Sequence, residues 1–398
     1  MKEQIQALAK SNFEAIQKVR RHLHQYPELS YQEKETGRYI AAQLEGLGIQ
    51  HEHGVADNGV VALINEQDAK KRTIALRADI DALPISEQNN VPYKSKHEGV
   101  MHACGHDVHT ASLLGTARIL NELRFDFEGC IKLIFQPAEE RLPGGASIMI
   151  KEGVLKNPSP KQIFGQHVHP PLAVGKVGFC PGKYMASTDE LYLTIKGRGG
   201  HGALPQECID PITITAQVLV ALQQIVSRMA PPTIPSVLTF GKINSDGGAT
   251  NVIPNIVRLE GTFRTMNEEW RKKAHKKMRK VARSVAKGFG AACDLEIKKG
   301  YPVLHNDHEL THQAKHLAMD YLGEENVVDL PIRMTAEDFA YYSQEMPACF
   351  YRLGTGNEER GLISPIHTNT FDVDEHCLEV GSGLMAWLAI QSLKGSKV

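Results

Sequence analysis

Apolar positions at Ile5, Leu8, Phe13, Ile16 and Val19 recur among polar neighbours, the spacing of an amphipathic helix. Farther along, short β-branched runs at 73–77, 130–135 and 162–164 alternate with helix-period stretches at 108–123 and 146–155. Strands that alternate with helices in this way predict an α/β domain with a central, mostly parallel sheet. The pattern then changes. Between 188 and 299 it reads strand (191–196), helix (212–228), strands (237–243 and 256–264), helix (268–289) and strand (293–298). This β-α-β-β-α-β order predicts a ferredoxin-like α+β unit. A helix at 308–322, a segment at 334–343, a strand at 349–353 and a helix at 379–393 return to the earlier style. The expected architecture is therefore one α/β domain (1–186 and 300–398) interrupted by an inserted ferredoxin-like domain (187–299). No internal repeat or low-complexity segment is visible.

Length and charge narrow the class. A chain of 398 residues exceeds what one hydrophobic core usually supports, which agrees with two domains. Lys and Arg total 45 against 46 for Asp and Glu, a net charge of -1 without a like-charged block, so nucleic acid is not an expected partner. The first 21 residues lack the continuous apolar run of a signal peptide, and no uninterrupted apolar stretch suggests a membrane span. The expected location is the cytoplasm, with no membrane partner. Seven scattered cysteines without paired spacing argue against a disulfide framework. Cys130, Cys293 and Cys349 read as plain core residues, whereas Cys104 does not.

Cys104 belongs to His102-Ala-Cys-Gly-His106-Asp107-Val-His109, five potential metal-binding side chains in eight residues, directly before a predicted helix. Zinc-like ions take thiolate, imidazole and carboxylate, and a turn there would aim Cys104 and His106 the same way. Asp107 is expected to cap the helix and His109 to face solvent, both as structural residues. Glu139 and Glu140 follow the strand at 130–135, at the end where open α/β sheets build their sites. Adjacent glutamates are ordinarily solvated charge. Neighbours near a strand end diverge, however, so one can ligate metal while the other deprotonates water. His167 and His169 mark a third strand end, and the 365–372 loop, with His367 and Asp372, a fourth place. The combined Cys, His and Glu set suits Zn²⁺, Mn²⁺, Co²⁺ or Ni²⁺ rather than Ca²⁺ or Mg²⁺. Asp79 and Asp81 end another strand, either reaching the cluster or orienting its histidines from outside; the outer role is preferred.

These motifs, with 20–29, 77–84, 199–201, 251–254 and 335–339, resemble the metallopeptidase-like amidohydrolase family of aminoacylases, hippurate hydrolase, N-acetyldiaminopimelate deacetylase and auxin-conjugate hydrolases. The resemblance runs nearly end to end. It implies that Cys104, His106, Glu140, His167 and His367 bind one or two divalent transition-metal ions and that Glu139 is the general base. Arg77-Ala-Asp79 stands where relatives carry His-x-Asp, which leaves the number of ions open. The resemblance further implies that the inserted domain is a lid and a homodimer interface. His201, from the partner subunit, and Asn251 would then contact the substrate or the oxyanion. Arg264 is either a substrate-carboxylate ligand or structural. The expected activity is hydrolysis of N-acyl amino acids, small-molecule substrates, to a carboxylate and a free amino acid. Alternatives are a dipeptidase or aminopeptidase with the same centre, a non-catalytic metal-binding paralogue, or an enzyme with Cys104 as nucleophile.

Overall fold

A computed structural model describes residues 1–394. The chain forms two compact units: Met1–Gly182 with His305–Pro331 and the chain from Asp338 onward, and Lys183–Leu304 with Ile332–Glu337. The first unit begins with α1 (Lys2–Gln25), α2 (Lys34–Gly46), β1 (His51–Val55), β2 (Gly59–Ile64), β3 (Thr73–Asp79), α3 (His106–Glu122), β4 (Cys130–Gln136), α4 (Gly145–Glu152), β5 (Ile163–Ala173) and β6 (Val177–Phe179). The crossing strands are β7 (Gly182–Met185) and β14 (Leu304–Asn306). The first unit resumes with α7 (His308–Leu322), β15 (Val327–Asp329), α8 (Tyr342–Glu345), β16 (Ala348–Gly356) and α9 (Cys377–Leu393).

Its sheet runs β1-β2-β4-β3-β5-β16-β6-β15. The four central strands, β4, β3, β5 and β16, are mutually parallel. Strands covered on both faces read as continuous apolar runs, and every residue of β3, β4 and β16 is buried. Lys132 lies within β4 because its ammonium donates to the carbonyls of Val154 and Lys156, each at 2.7 Å. Helix α9 is buried almost all round, packed against α3 and α1. Two differences from the sequence reading concern strands. The sequence reading missed the β1–β2 hairpin: β1 is a largely exposed edge strand of sequence His-Glu-His-Gly-Val, although its partner β2 is the apolar run Gly-Val-Val-Ala-Leu-Ile. Strand β5 extends beyond 164 to Ala173, because its polar histidine half is held by pairing with β16; His167 is thus inside a strand.

The second unit contains β8 (Ser187–Lys196), β9 (Gly200–His201), α5 (Pro211–Gln224), β10 (Ser236–Ser245), β11 (Val252–Ile253), β12 (Ile256–Thr265), α6 (Glu268–Gly288) and β13 (Ala292–Lys299). Its antiparallel sheet, ordered β10-β12-β8-β13, is the ferredoxin-like arrangement. Burial alternates residue by residue along β8, as a sheet with one covered face requires. Leu191, Leu193, Ile195, Val257 and Leu259 meet Val218 and Leu222 of α5 and Ala274 and Met278 of α6. Helix α5 and the π turn after it, Pro211–Met229, are long and apolar enough to pass for a membrane span by composition. One face of α5 is nevertheless committed to this core. The unit also reaches past the expected 187–299. Gly300 and Thr188 continue the β8–β13 pairing, and Arg333 pairs back to Tyr184 and Ala186.

Close helix packing in the first unit centres on Gly115 of α3, where a Cβ would lie 2.4 Å from Ile16 Cδ1 and 2.9 Å from Ser382 Cβ. Gly115→Val is expected to cost about 1–3 kcal/mol by overpacking and to lower the urea unfolding midpoint, with Gly115→Ala milder. An unchanged midpoint for the valine variant would contradict this packing.

Candidate metal centre

The chain from β3 through Asp81, the turn after β4, the middle of β5 and the start of α3 bring their polar side chains to one place, with the loop carrying His367. That is the C-terminal edge of the parallel strands, where open α/β sheets form their crevices. Gly105 (φ +81°) separates Cys104 from His106 in the left-handed region, and a Cβ there would strike Val168 Cγ2 at 2.5 Å. Glycine is the residue that fits both demands, and the turn it makes directs both side chains inward. His367 also has positive φ (+62°), and its N–H donates to the Ala103 carbonyl at 2.7 Å, which pins the loop beside Cys104.

The sulfur of Cys104 is 3.4 Å from His167 Nε2 and 3.3 Å from His367 Nε2. Glu140 Oε1 is 3.3 Å from His367 Nε2 and 3.9 Å from His106 Nε2. The inward nitrogens are set by outer partners. His106 Nδ1 donates to Asp81 at 3.1 Å and His167 Nδ1 to the Val168 carbonyl at 2.8 Å, so each ring turns Nε2 inward. Among the described residues, His106 Nε2 and Glu140 Oε1 are buried without a hydrogen-bond partner. Buried polar atoms are almost always satisfied, so a pair left open and facing a thiol and two imidazoles fits a cation. The electrostatics agree. Burial, then Glu140, Glu139 and Asp79, push the Cys104 thiol well above its ordinary range. Burial disfavours a charged His106, but Asp79, Asp81 and Glu140 outweigh it and lift the ring to about 10. Burial and Arg352 keep His167 neutral, with its pKa held well below the usual value. The surroundings thus favour positive charge at the centre, and disfavour a free thiolate such as a cysteine nucleophile requires.

The two glutamates diverge. Glu140 faces the cysteine and histidines, whereas Glu139 is buried with Oε1 accepting the Asp338 N–H at 3.3 Å. Asp81 takes the outer role: Oδ2 accepts from Ser30 Oγ at 2.6 Å and from the Glu140 N–H at 3.0 Å. Asp79 pairs with Arg77 at 2.7 Å and with His109 Nδ1, while His109 Nε2 accepts the Val168 N–H, so His109 is buried with both nitrogens engaged instead of facing solvent. Asp107 does not cap α3, whose N-cap is Gly105. Instead it pairs with Arg20 and His24, each at 2.8 Å, and these cations overcome burial and hold its carboxyl far below the usual range.

In the second unit, His201 and Asn251 are brought together on a small ribbon. Val252 pairs with His201, and the Gly202 N–H donates to the Asn251 carbonyl at 2.7 Å. His201 Nδ1 accepts the Ala203 N–H at 3.1 Å, so Nε2 carries the proton of the neutral ring as an exposed donor. Arg264 donates to the Met334 carbonyl at 3.2 Å, a structural contact. Glu33, Ser30 and Tyr31 escaped the sequence reading. Their loop lies more than a hundred residues from the turn it supports, and Glu33 looks like any exposed helix-start glutamate.

Comparison with known proteins agrees with this chemistry. Residues 75–391 match the model of peptidase family M20/M25/M40. The N-acetyl-L-cysteine deacetylase of Bacillus subtilis is 42% identical, covering 90% of this chain and 83% of that protein. The IAA-amino acid hydrolase ILR1-like 4 of Arabidopsis thaliana is 40% identical over 97% and 88%. Among solved structures, the YXEP protein of Bacillus subtilis, described as a dinuclear metal binding peptidase from the M20 family, superposes with a TM-score of 0.81 at 35% identity, covering 97% of this chain and 100% of that one. The chain therefore belongs to peptidase family M20/M25/M40, as a metal-dependent amidohydrolase.

Proposed function

We propose that this enzyme hydrolyses N-acyl amino acids or closely similar small amides to a carboxylate and a free amino acid. Cys104, His106, Glu140, His167 and His367 would hold one or two ions of Mn²⁺, Zn²⁺, Co²⁺ or Ni²⁺, and Glu139 would be the general base. The observation that carries this reading is the meeting of the Cys104 sulfur with the Nε2 atoms of His167 and His367, with Glu140 beside them. Mixed sulfur and imidazole donors suit borderline transition ions. When bound, such an ion supplies Lewis-acid polarisation of the amide carbonyl and a lowered water pKa.

The remaining steps fall to the chain's own residues. Glu139 takes a proton from the attacking water and returns it to the departing amine. The Asp338 N–H on Oε1 keeps one carboxylate oxygen engaged and orients the other. His201 offers an Nε2–H donor, and Asn251 an amide on the same ribbon, to the developing oxyanion or the substrate. The deacetylase and auxin-conjugate hydrolase relatives support an acyl amino acid substrate. A homodimer through the second unit is supported by the edge strand β10, with Ile243 exposed, and by Ile212 and Val220 on the outer face of α5. A screen of N-acetyl, N-benzoyl and indole-acetyl amino acids beside dipeptides, with each of the four metals, tests the substrate class. Turnover of dipeptides alone would overturn it.

Glu139→Gln is expected to keep its metal and lose about 10²- to 10⁴-fold in kcat, measured with metal content on the same sample. Near-normal kcat with metal retained would remove Glu139 from the role of base. Cys104→Ala and Glu140→Gln should instead lower metal occupancy by elemental analysis, and full occupancy in both would exclude them as ligands. If His201 acts across a twofold dimer, mixing inactive His201→Ala with inactive Glu139→Gln under subunit exchange should restore at most about one quarter of wild-type activity. No recovery, with exchange confirmed by native mass spectrometry, would place His201 in its own subunit's site or outside catalysis.

A further inference from the structure

The turn that carries Glu139 and Glu140 is not held by its own backbone alone. Ala138 stands at φ +54°, a left-handed conformation that a residue with a Cβ adopts only when its surroundings enforce it. The enforcing groups can be named. Glu33 Oε1 accepts the Ala138 N–H at 2.7 Å, while the Ala138 carbonyl accepts the Gly145 N–H at 2.9 Å. The other Glu33 oxygen accepts from Asn58 Nδ2 at 3.1 Å, which fixes the carboxyl's orientation. Two residues of the same loop reach the far side of the turn. Ser30 holds Asp81, which accepts the Glu140 N–H, and the Tyr31 hydroxyl donates to the Arg141 carbonyl at 3.1 Å and accepts the Gly144 N–H at 3.3 Å.

Glu33 is fully buried, and its hydrogen-bond partners at Ala138 and Asn58 are neutral donors rather than cations. Burial and the Asp81 carboxylate push its pKa up to about 7, against the pull of backbone N–H groups. A carboxyl in such surroundings is costly to the fold, since burial disfavours its charged form and these two partners are neutral. What it supplies is a short acceptor at the peptide that immediately precedes Glu139.

We propose that Glu33 is a positioning residue for the general base: through the Ala138 peptide it sets the direction in which the Glu139 carboxylate leaves the turn. The proposal rests on the reading of Glu139 as base. It predicts a particular kind of defect. Without the acceptor, Ala138 can relax from its left-handed conformation and carry Glu139 out of line with the attacking water. Glu140 remains tied by its own N–H to Asp81, so the metal ligands stay in place. A displacement of that order at a reacting group lowers turnover rather than binding.

The experiment compares Glu33→Ala, Glu33→Gln and Glu33→Asp with Glu139→Gln, as full-length proteins loaded with the metal giving highest activity. Each is measured for kcat, KM, metal content and thermal midpoint. Glu33→Ala should lose about 10- to 100-fold in kcat, with KM within about threefold and metal content unchanged. Glu33→Gln, which keeps an oxygen acceptor for Ala138, should recover to within about threefold of wild type, whereas Glu33→Asp, too short to reach, should fall between. That rescue separates positioning from a general loss of stability. If Glu33→Ala does not fold, Glu33→Asp carries the test by the same criteria. Wild-type kcat in the folded alanine or aspartate variant would overturn the proposal, as would loss of metal parallel to loss of activity. Glu139→Gln distinguishes the two readings: normal turnover there removes the base itself, whereas an inactive Glu139→Gln beside a fully active Glu33→Ala leaves the base and removes the positioning.

Discussion

Too many carboxylates are taken out of water at the ends of β3 and β4, and most of what surrounds them answers that constraint. Asp79, Asp81, Asp107, Glu139 and Asp338 are all buried in the first unit. A buried charge without a partner costs several kcal/mol, so each must meet a cation or a set of donors. Arg77, wholly buried, pairs with Asp79 and Asp338, both at 2.7 Å. Arg20, equally buried, pairs with Asp107 and Asp372 and approaches Glu375 at 3.3 Å. These arginines leave the negative field around Cys104, His106 and Glu140 uncompensated. The field that lifts the His106 pKa, and that adds to burial in raising the Cys104 thiol, is the field that a divalent cation would neutralise.

The same pairs are also mechanical links. Arg20 joins α1 to the first turn of α3, one residue beyond His106, and to the segment that follows His367. Two proposed ligands from distant parts of the chain are thereby registered against one guanidinium. Tyr93 extends the link, donating to Asp372 at 2.8 Å and lying under the Arg20 guanidinium. Removal of any one partner strands a buried charge, so the outer pairs and the centre are energetically continuous. Backbone conformation contributes in the same places. Left-handed residues occur at Gly105, Ala138 and His367, each beside a side chain aimed at the centre. Gly105 adopts that shape without a Cβ penalty, whereas Ala138 and His367 are held by hydrogen bonds from other segments.

Much of this was legible in the sequence. The alternation of apolar runs with helix-period stretches determined the α/β class and the ferredoxin-like interruption, because burial on one or both faces dictates the period of apolar residues. The density of Cys, His and Glu beside strand ends identified the ligand candidates, and the divergence of Glu139 from Glu140 follows from strand geometry. Only the tertiary structure decided how these pieces are supported. It made Asp107 an ion-pair partner rather than a cap, gave His109 two hydrogen bonds that remove it from the centre, extended β5 past His167, and put Glu33 behind the Ala138 peptide. The division has a physical reason. Periodicity and residue chemistry are local properties that a sequence carries in order, whereas a hydrogen bond between residues 33 and 138, or one arginine shared by residues 107 and 372, exists only after the chain has closed loops that no local pattern records.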